Sequence, residues 1–145
     1  MKKGEIDYSA QGKKNRVSGR IFETKVREKL ESMGWVVDKW TNTVDYDRLK
    51  LVPAKRKYNP FKKVMVIGTG FPDFIAFKKN EENNYEIIGV EVKSNGYLSQ
   101  IEKSMCMWLL ENKIFSKILI AKKGKSRGEI EYIDFREKHG KKFLQ

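Results

Sequence analysis

Two carboxylates and a lysine stand where a β-sheet would bring them together: Asp73, Glu91 and Lys93. Glu91 and Lys93 end the apolar run 87–92, and residues i and i+2 of a strand point the same way. Asp73 precedes another apolar run, 74–77, and a hairpin between the two runs would set Asp73 beside Glu91. Two neighbouring carboxylates repel unless a divalent cation lies between them, and oxygen-only ligands suit Mg²⁺ or Mn²⁺. The three residues therefore predict a metal centre next to a lysine.

The acid-x-Lys triplet is weak evidence by itself, because it recurs at 23–25 and 111–113. Those two copies fall in predicted helices, where residues i and i+2 point about 200° apart and cannot converge. Asp73 has an alternative interpretation as a turn residue, since aspartate commonly caps turns. The strand context and the hairpin are what single out Asp73, Glu91 and Lys93.

Lysine and arginine outnumber aspartate and glutamate by 31 to 19, which leaves a formal charge of +12. Such an excess favours a polyanion as partner, since cations that contact phosphates release condensed counterions. A charge-rich composition also fits an ion-paired or merely soluble surface. Net charge therefore makes nucleic acid a candidate partner without deciding it.

Cys106 and His139 are the single cysteine and the single histidine of the chain. This excludes an intrachain disulfide and leaves zinc-protease and Ser-His-Asp chemistry without its residues, so carboxylates and lysines must do the work. A lone cysteine fits a reducing cytosol. No apolar run approaches the roughly 20 residues that span a bilayer, and residues 1–12 lack a signal-peptide core. We expect a soluble, cytoplasmic protein with no membrane partner.

The length of 145 residues fits one compact domain. The polar segment 1–16 is predicted to be a flexible basic arm, and 17–145 the folded domain. Within that domain, the stretch 41–63 shows no regular periodicity and is predicted to be a basic insert.

Apolar residues at helical spacing predict a helix from Ser18 to Met33 and a second helix after the turn at 94–96. The stripes are Phe22, Val26, Leu30 and Met33 in the first helix, and Leu98, Ile101, Met105, Trp108 and Leu109 in the second. Short β segments are predicted at Trp35–Trp40, Val64–Ile67, Asp73–Lys78, Tyr85–Lys93, Ile118–Lys122 and Glu129–Phe135, with the third and fourth forming a hairpin. The succession of helices and β segments indicates an α/β fold, a mixed central sheet flanked by helices.

Gly70-Phe-Pro-Asp73, seventeen intervening residues and then Glu91-Val-Lys93 resemble the PD-(D/E)xK nuclease superfamily. The following segment, Ser94 to Gln100, is similar to its VRR-NUC and archaeal Holliday junction resolvase-like branches, in which a helix glutamine follows the lysine. The resemblance spans roughly 19–122 and implies a restriction-endonuclease-like αβββαβ core. The insert 41–63 departs from the pattern and leaves the branch open.

The resemblance implies a Mg²⁺-dependent endonuclease that hydrolyses DNA phosphodiester bonds, with Mn²⁺ able to substitute. Asp73, Glu91 and the Val92 carbonyl would hold the cation, which lowers the pKa of a bound water. Lys93 would orient that water and offset charge developing on phosphorus.

Two further residues match family positions, Glu23 on the first helix and Gln100 near the start of the second. Glu23 would complete the metal site, and Gln100 would help to fix the water or Lys93. The alternative for Glu23 is a solvated acid paired with Arg27, and the alternative for Gln100 is an ordinary helix surface residue.

Contacts to backbone phosphates, which are the same for every base, predict selectivity for DNA structure, such as branched or junction DNA, rather than for sequence. The expected contacts are basic residues of the arm and the insert: Lys13, Lys14, Arg16, Arg20, Lys55, Arg56, Lys57, Lys62 and Lys63. Trp40, Tyr46 or Tyr58 would stack on exposed bases, unless they pin their loops to the domain. Resolvases of the similar archaeal family act as homodimers, which makes a homodimer an expectation here.

Two other classes of function remain open on the sequence alone. One is a non-catalytic nucleic-acid-binding module of the same fold, and the other is a subunit whose basic surface binds an acidic protein. Within the enzyme class, a junction resolvase, a flap or repair endonuclease and a restriction-like enzyme all fit.

Overall fold

The structure is a computed structural model that describes residues 8–54, 57–59, 64–66 and 70–140, with side chains over 10–54 and 70–140. Its elements in chain order are α1 (Tyr8–Ser32), β1 (Val36–Lys39), β2 (Asn42–Asp45), β3 (Lys50–Pro53), β4 (Lys57–Asn59), β5 (Val64–Val66), β6 (Phe74–Lys79), β7 (Tyr85–Val92), α2 (Gln100–Glu111), β8 (Lys117–Lys123), β9 (Ile130–Asp134) and α3 (Phe135–His139).

Five of the described strands form the main sheet, in the order β1-β6-β7-β8-β9. The apolar run of β7 lies at its centre, antiparallel to β6 and parallel to β8. β1 and β9 are antiparallel to their neighbours, so the sheet is mixed. The predicted hairpin is confirmed, with Phe74 opposite Val90 and Lys79 opposite Tyr85.

The helices cover the two faces of this sheet because its strands alternate apolar residues between them. Phe22, Val26 and Leu30 of α1 pack in one cluster with Val90 of β7 and Ala121 of β8. The opposite face carries a second cluster, formed by Cys106, Leu109 and Leu110 of α2 with Ile118, Ile120 and Phe135. The chain is therefore a single α/β domain with a mixed sheet between helices, as the sequence predicts at that level.

The first helix is longer at its start than predicted, because it begins at Tyr8 rather than Ser18. Residues 8–16 of the expected flexible arm are therefore helical, and 1–7 lie outside the described residues. Over residues 10–21, whose side chains are described, no residue of α1 is buried, and the buried stripe starts at Phe22. At the other end, Met33 follows the helix and is 41% exposed, so it does not continue the stripe.

The buried face of α2 also differs from the predicted stripe. Ile101 is 68% exposed, and Leu98 precedes the helix, which begins at Gln100. The short helix α3, which starts after the Asp134 cap, was not predicted, because five residues are too few for a periodic pattern.

The predicted insert 41–63 contains regular structure that its sequence did not reveal. β2 pairs with β3, and β4 pairs with the predicted strand β5, each as a small antiparallel sheet apart from the main one. Val44 of β2 packs in the α2 cluster, which attaches this hairpin to the core. Lys55, Arg56, Lys62 and Lys63 lie outside the described residues, and for Lys57 only the backbone is described.

Gly70 allows the chain before Asp73 to pass directly against the β2 segment. A Cβ atom there would lie 2.5 Å from the Trp40 carbonyl oxygen and 2.7 Å from the backbone nitrogen and oxygen of Asn42. We expect Gly70→Ala to lower the free energy of unfolding by roughly 2 kcal/mol, because backbone must move to make room. Urea denaturation followed by circular dichroism measures this.

Gly19→Ala is the matched control for this substitution. Gly19 lies inside α1 with nothing within 4 Å of an added Cβ. Alanine is the better helix former by about 1 kcal/mol, so this variant should be more stable than the wild type. Equal stability of Gly70→Ala and wild type would contradict the close approach.

Candidate active site

The start of β6 and the end of β7 meet at one edge of the main sheet, and this antiparallel pairing sets Asp73 beside the Glu91 segment. The Val92 amide donates a hydrogen bond of 2.8 Å to Asp73 Oδ2. The Trp40 amide donates to the Asp73 carbonyl oxygen at 3.0 Å, which fixes the backbone on the other side. Asp73 is therefore anchored across the sheet edge rather than serving only as a local turn residue.

Glu91 is the buried acid of this edge, with 5% of its surface exposed. Burial raises its pKa to about 11, and the hydrogen bond and the charge of Asp73 act in the same direction. Without a cation, Glu91 keeps its proton at neutral pH, because the ionised form of a carboxyl that is buried beside another acid is disfavoured. The predicted approach of Asp73 and Glu91 is confirmed in this geometry.

Lys93 lies on the same face of β7 as Glu91 and forms an ion pair with Glu102 of α2, at 2.7 Å between Nζ and Oε2. Partial burial lowers the pKa of Lys93, but the Glu102 hydrogen bond and the charges of Glu91, Glu102 and Asp73 raise it overall. Lys93 is therefore a protonated lysine held at the edge of an acidic cluster.

Glu102 is the site residue that the sequence analysis missed. Its Oε1 accepts a hydrogen bond of 2.9 Å from the Ser99 amide, while its own amide donates to Ser99 Oγ at 3.1 Å. This capping box starts α2 and aims the second carboxylate oxygen at Lys93. The hydrogen bonds from Lys93 and Ser99 outweigh partial burial and lower the pKa of Glu102, so it is ionised.

Glu23 reaches the same edge from α1. Burial raises its pKa, and the charge of Asp73 raises it further, while Lys39 lowers it. Among the described residues, Arg27 forms ion pairs with Glu31 at 3.2 Å and with Asp38 at 3.9 Å, and not with Glu23. The structure thus brings Glu23 into the electrostatic surroundings of Asp73, and its role as a ligand stays a prediction.

Gln100 is exposed at the first position of α2. Within the described part of the chain, its side chain makes no hydrogen bond with Asp73, Glu91 or Lys93. Its predicted contribution therefore rests on the family resemblance alone.

The expected nucleic-acid contacts have mixed outcomes. The arginines and lysines of α1 that were predicted to bind DNA are all exposed along its N-terminal half: Lys13, Lys14, Arg16 and Arg20. Trp40 packs edge-on against Phe115, with ring centroids 5.1 Å apart, so it pins its loop to the domain. Tyr46 is 42% exposed, and the side chain of Tyr58 lies outside the described part.

The donor set at the edge suits a hard cation, since the two side chains that meet there, Asp73 and Glu91, both offer carboxyl oxygens. Among the described residues, however, no three acidic, histidine or cysteine side chains are close enough together to hold a metal ion. Two carboxylates with a main-chain carbonyl and waters are a common Mg²⁺ environment. Asp73 and Glu91 therefore fit such a cation as a pair, and Glu23 does not form a group of three with them.

Comparisons with protein-family models, with curated proteins and with solved structures find no match to this chain. No described helix is both long enough and apolar enough to cross a membrane.

Proposed function

We propose that this protein is a divalent-cation-dependent DNA endonuclease that uses the edge formed by Asp73, Glu91 and Lys93. The observation that carries the proposal is the buried Glu91 carboxyl in hydrogen-bonding contact with Asp73, with the ammonium group of Lys93 held beside them. A buried acid of this kind costs stability, and a cation that displaces the Glu91 proton would give its burial a function.

In this proposal Asp73, Glu91 and the Val92 carbonyl bind Mg²⁺ or Mn²⁺, with Glu23 as a further oxygen ligand through its own side chain or a water. The cation, when bound, polarises a phosphodiester oxygen and lowers the pKa of a water. Lys93 directs its ammonium group to the reacting phosphate, where a compact positive charge stabilises the added negative charge. Glu102 holds Lys93 in that orientation.

We further propose that the fold is the restriction-endonuclease-like core. The main sheet and the first two helices follow in the chain as α1, β1, β6, β7, α2 and β8, which is an αβββαβ order. The motif from Gly70 to Lys93 falls on the two strands that carry the site in that fold. A branched or junction DNA as substrate, and a homodimer that cuts both strands, remain predictions of the resemblance.

A cleavage panel tests the proposed function directly. Wild-type protein is incubated with end-labelled four-way junction, flap, single-stranded and duplex DNA in Mg²⁺, in Mn²⁺ and in EDTA, with Lys93→Ala prepared in parallel. Cation-dependent products from wild type that are missing with Lys93→Ala are the expected result. Equal product from the two proteins would show a contaminating nuclease and end the proposal.

The non-catalytic binding module is the rival that this panel separates. It predicts DNA binding but no product with either cation on any of the four substrates. A binding module would not need an acid buried against a second acid, as Glu91 is against Asp73, and for this reason we favour the enzyme.

A further inference from the structure

A basic cleft of about 280 Å³ lies between α1 and the turn that joins β8 to β9. A narrower groove of about 140 Å³ continues it along α1 as far as Ser18, and the two share Phe22, Lys25 and Lys123. The cations that line the cleft are Lys25, Lys123, Lys125 and Arg127, against a single carboxylate, Glu129. None of these residues belongs to the predicted DNA contacts.

The cleft and the acidic edge lie at the same end of the sheet. The Lys93 amide donates to the Ala121 carbonyl oxygen at 2.9 Å, and the Lys123 amide donates to the Ser94 carbonyl oxygen at 3.1 Å. On α1, Phe22 of the cleft directly precedes Glu23 of the acidic edge. A strand that reaches the triad would therefore pass close to the cleft.

Among the described residues, the charges of the four cations have no carboxylate partner. The adjacent Lys122, by contrast, is paired with Glu131 at 3.4 Å on the other face of β8. The carboxylate of Glu129 accepts a hydrogen bond from the Ser126 amide, and the Lys123 ammonium lies 5.7 Å from the Phe22 ring centre. Four positive charges around one concavity repel one another, and a bound polyanion would offset that repulsion.

The turn that carries Lys125 and Arg127 is held by its own backbone. The Gly124 amide donates to the Glu129 carbonyl oxygen at 2.8 Å, and the Glu129 amide donates to the Ser126 carbonyl oxygen at 3.1 Å. The cations therefore project from a defined loop, and little ordering is needed when an anion binds.

We propose that this cleft binds backbone phosphates of the cleaved DNA strand, next to the phosphodiester that is cut, with Lys25, Lys123, Lys125 and Arg127 as its contacts. Ile21, 52% exposed along the groove, would lie against the sugar. The inference rests on the proposed function for its ligand, because the neighbouring acidic edge is where the reacting phosphate would bind. It gives the enzyme a strand-holding site separate from the triad, and phosphate contacts of this kind fix register rather than sequence.

The test compares Lys125→Ala/Arg127→Ala with wild type for binding to a fluorescent DNA oligonucleotide in EDTA, across a series of salt concentrations. Both side chains are exposed, so we expect the two substitutions to leave the stability of the fold unchanged. We expect about tenfold weaker binding, and a slope of log affinity against log salt that is smaller by about 2, because two phosphate contacts are lost. Lys79→Ala/Lys117→Ala removes the same charge at the opposite end of the sheet and should change the salt slope much less.

A conservative exchange, Lys125→Arg/Arg127→Lys, should retain wild-type affinity, since it keeps both charges. Equal weakening by the Lys79/Lys117 pair would show a general charge effect and overturn the cleft as a site. Unchanged DNA affinity, together with lost binding to vesicles containing phosphatidylserine, would also overturn it in favour of a lipid surface. Cleavage of DNA by the wild type is scored separately in Mg²⁺, so a failed cleft and a failed nuclease proposal give different results.

Discussion

Glu91→Gln is expected to lower cation-dependent DNA cleavage about 10³-fold or more, since a ligand that supports several kcal/mol of charge stabilisation is lost. The same substitution should make the cation-free protein more stable above neutral pH. Glutamine keeps the shape and a hydrogen bond to Asp73, but it has no proton to lose. An opposite movement of activity and stability is typical of a residue that is buried for function.

The pH dependence follows from the raised pKa of Glu91, about 11 in the fold against 4.5 as its ordinary value. The folded protein keeps a proton that the unfolded chain releases. Its stabilising contribution is therefore complete below about pH 4.5 and is lost progressively as the pH rises toward 11. Wild type in EDTA should lose stability between pH 5.5 and 8.5 with a slope that Glu91→Gln reduces.

Urea unfolding at those two pH values, in EDTA and in Mg²⁺, measures this effect. At pH 8.5 without cation, Glu91→Gln should exceed wild type by roughly 2 kcal/mol, and Mg²⁺ should stabilise wild type but not the variant. Glu86→Gln is the control, because Glu86 is on the same strand, is only partly buried and pairs with Lys117 at 3.9 Å. A Glu91→Gln protein that is less stable than wild type at pH 8.5 would contradict a proton retained on Glu91.

The acidic edge was predictable because it depends on local rules. Two apolar runs on either side of a polar turn predict the β6–β7 hairpin, and alternation along a strand puts Glu91 and Lys93 on one side. Asp73 then falls opposite the end of β7 by register alone. Nothing beyond this pairing was needed to bring the two carboxylates together.

The residues that sequence reasoning missed depend on packing between distant segments. Ser99-x-x-Glu102 is readable as a capping box, but its contact with Lys93 requires the position of α2 over the sheet. The basic cleft joins Lys25 to the 124–129 turn across most of the chain. The early start of α1 was missed because Gly12 and Gly19 disfavour a helix and its polar first half has no apolar face.

Removing only the contact between Glu102 and Lys93 is expected to reduce cleavage by about 10- to 100-fold, as for other groups that orient a catalytic side chain. Glu102→Gln does this selectively. The amide oxygen can still accept from the Ser99 backbone N–H, as glutamine does in capping boxes, while the amide nitrogen cannot accept from the Lys93 ammonium. The helix start is kept and the ion pair is lost.

Ser99→Ala is the matched control, because it removes the other half of the cap and leaves the Glu102 carboxylate facing Lys93. It should cost about 1 kcal/mol of stability and little activity. Thermal unfolding and cleavage rates of both variants therefore separate helix capping from the positioning of Lys93. Greater loss of activity in Ser99→Ala than in Glu102→Gln would contradict the positioning role.

A pH profile adds a readout that a structural role of Glu102 would not change. The Glu102 carboxylate contributes to the raised pKa of Lys93, so its removal lowers that pKa. If protonated Lys93 is needed for cleavage, the alkaline limb of kcat/KM in Glu102→Gln should move to lower pH, and in Ser99→Ala it should stay in place. An unmoved alkaline limb, with cleavage at the wild-type rate, would mean that Glu102 serves the helix and not the reaction.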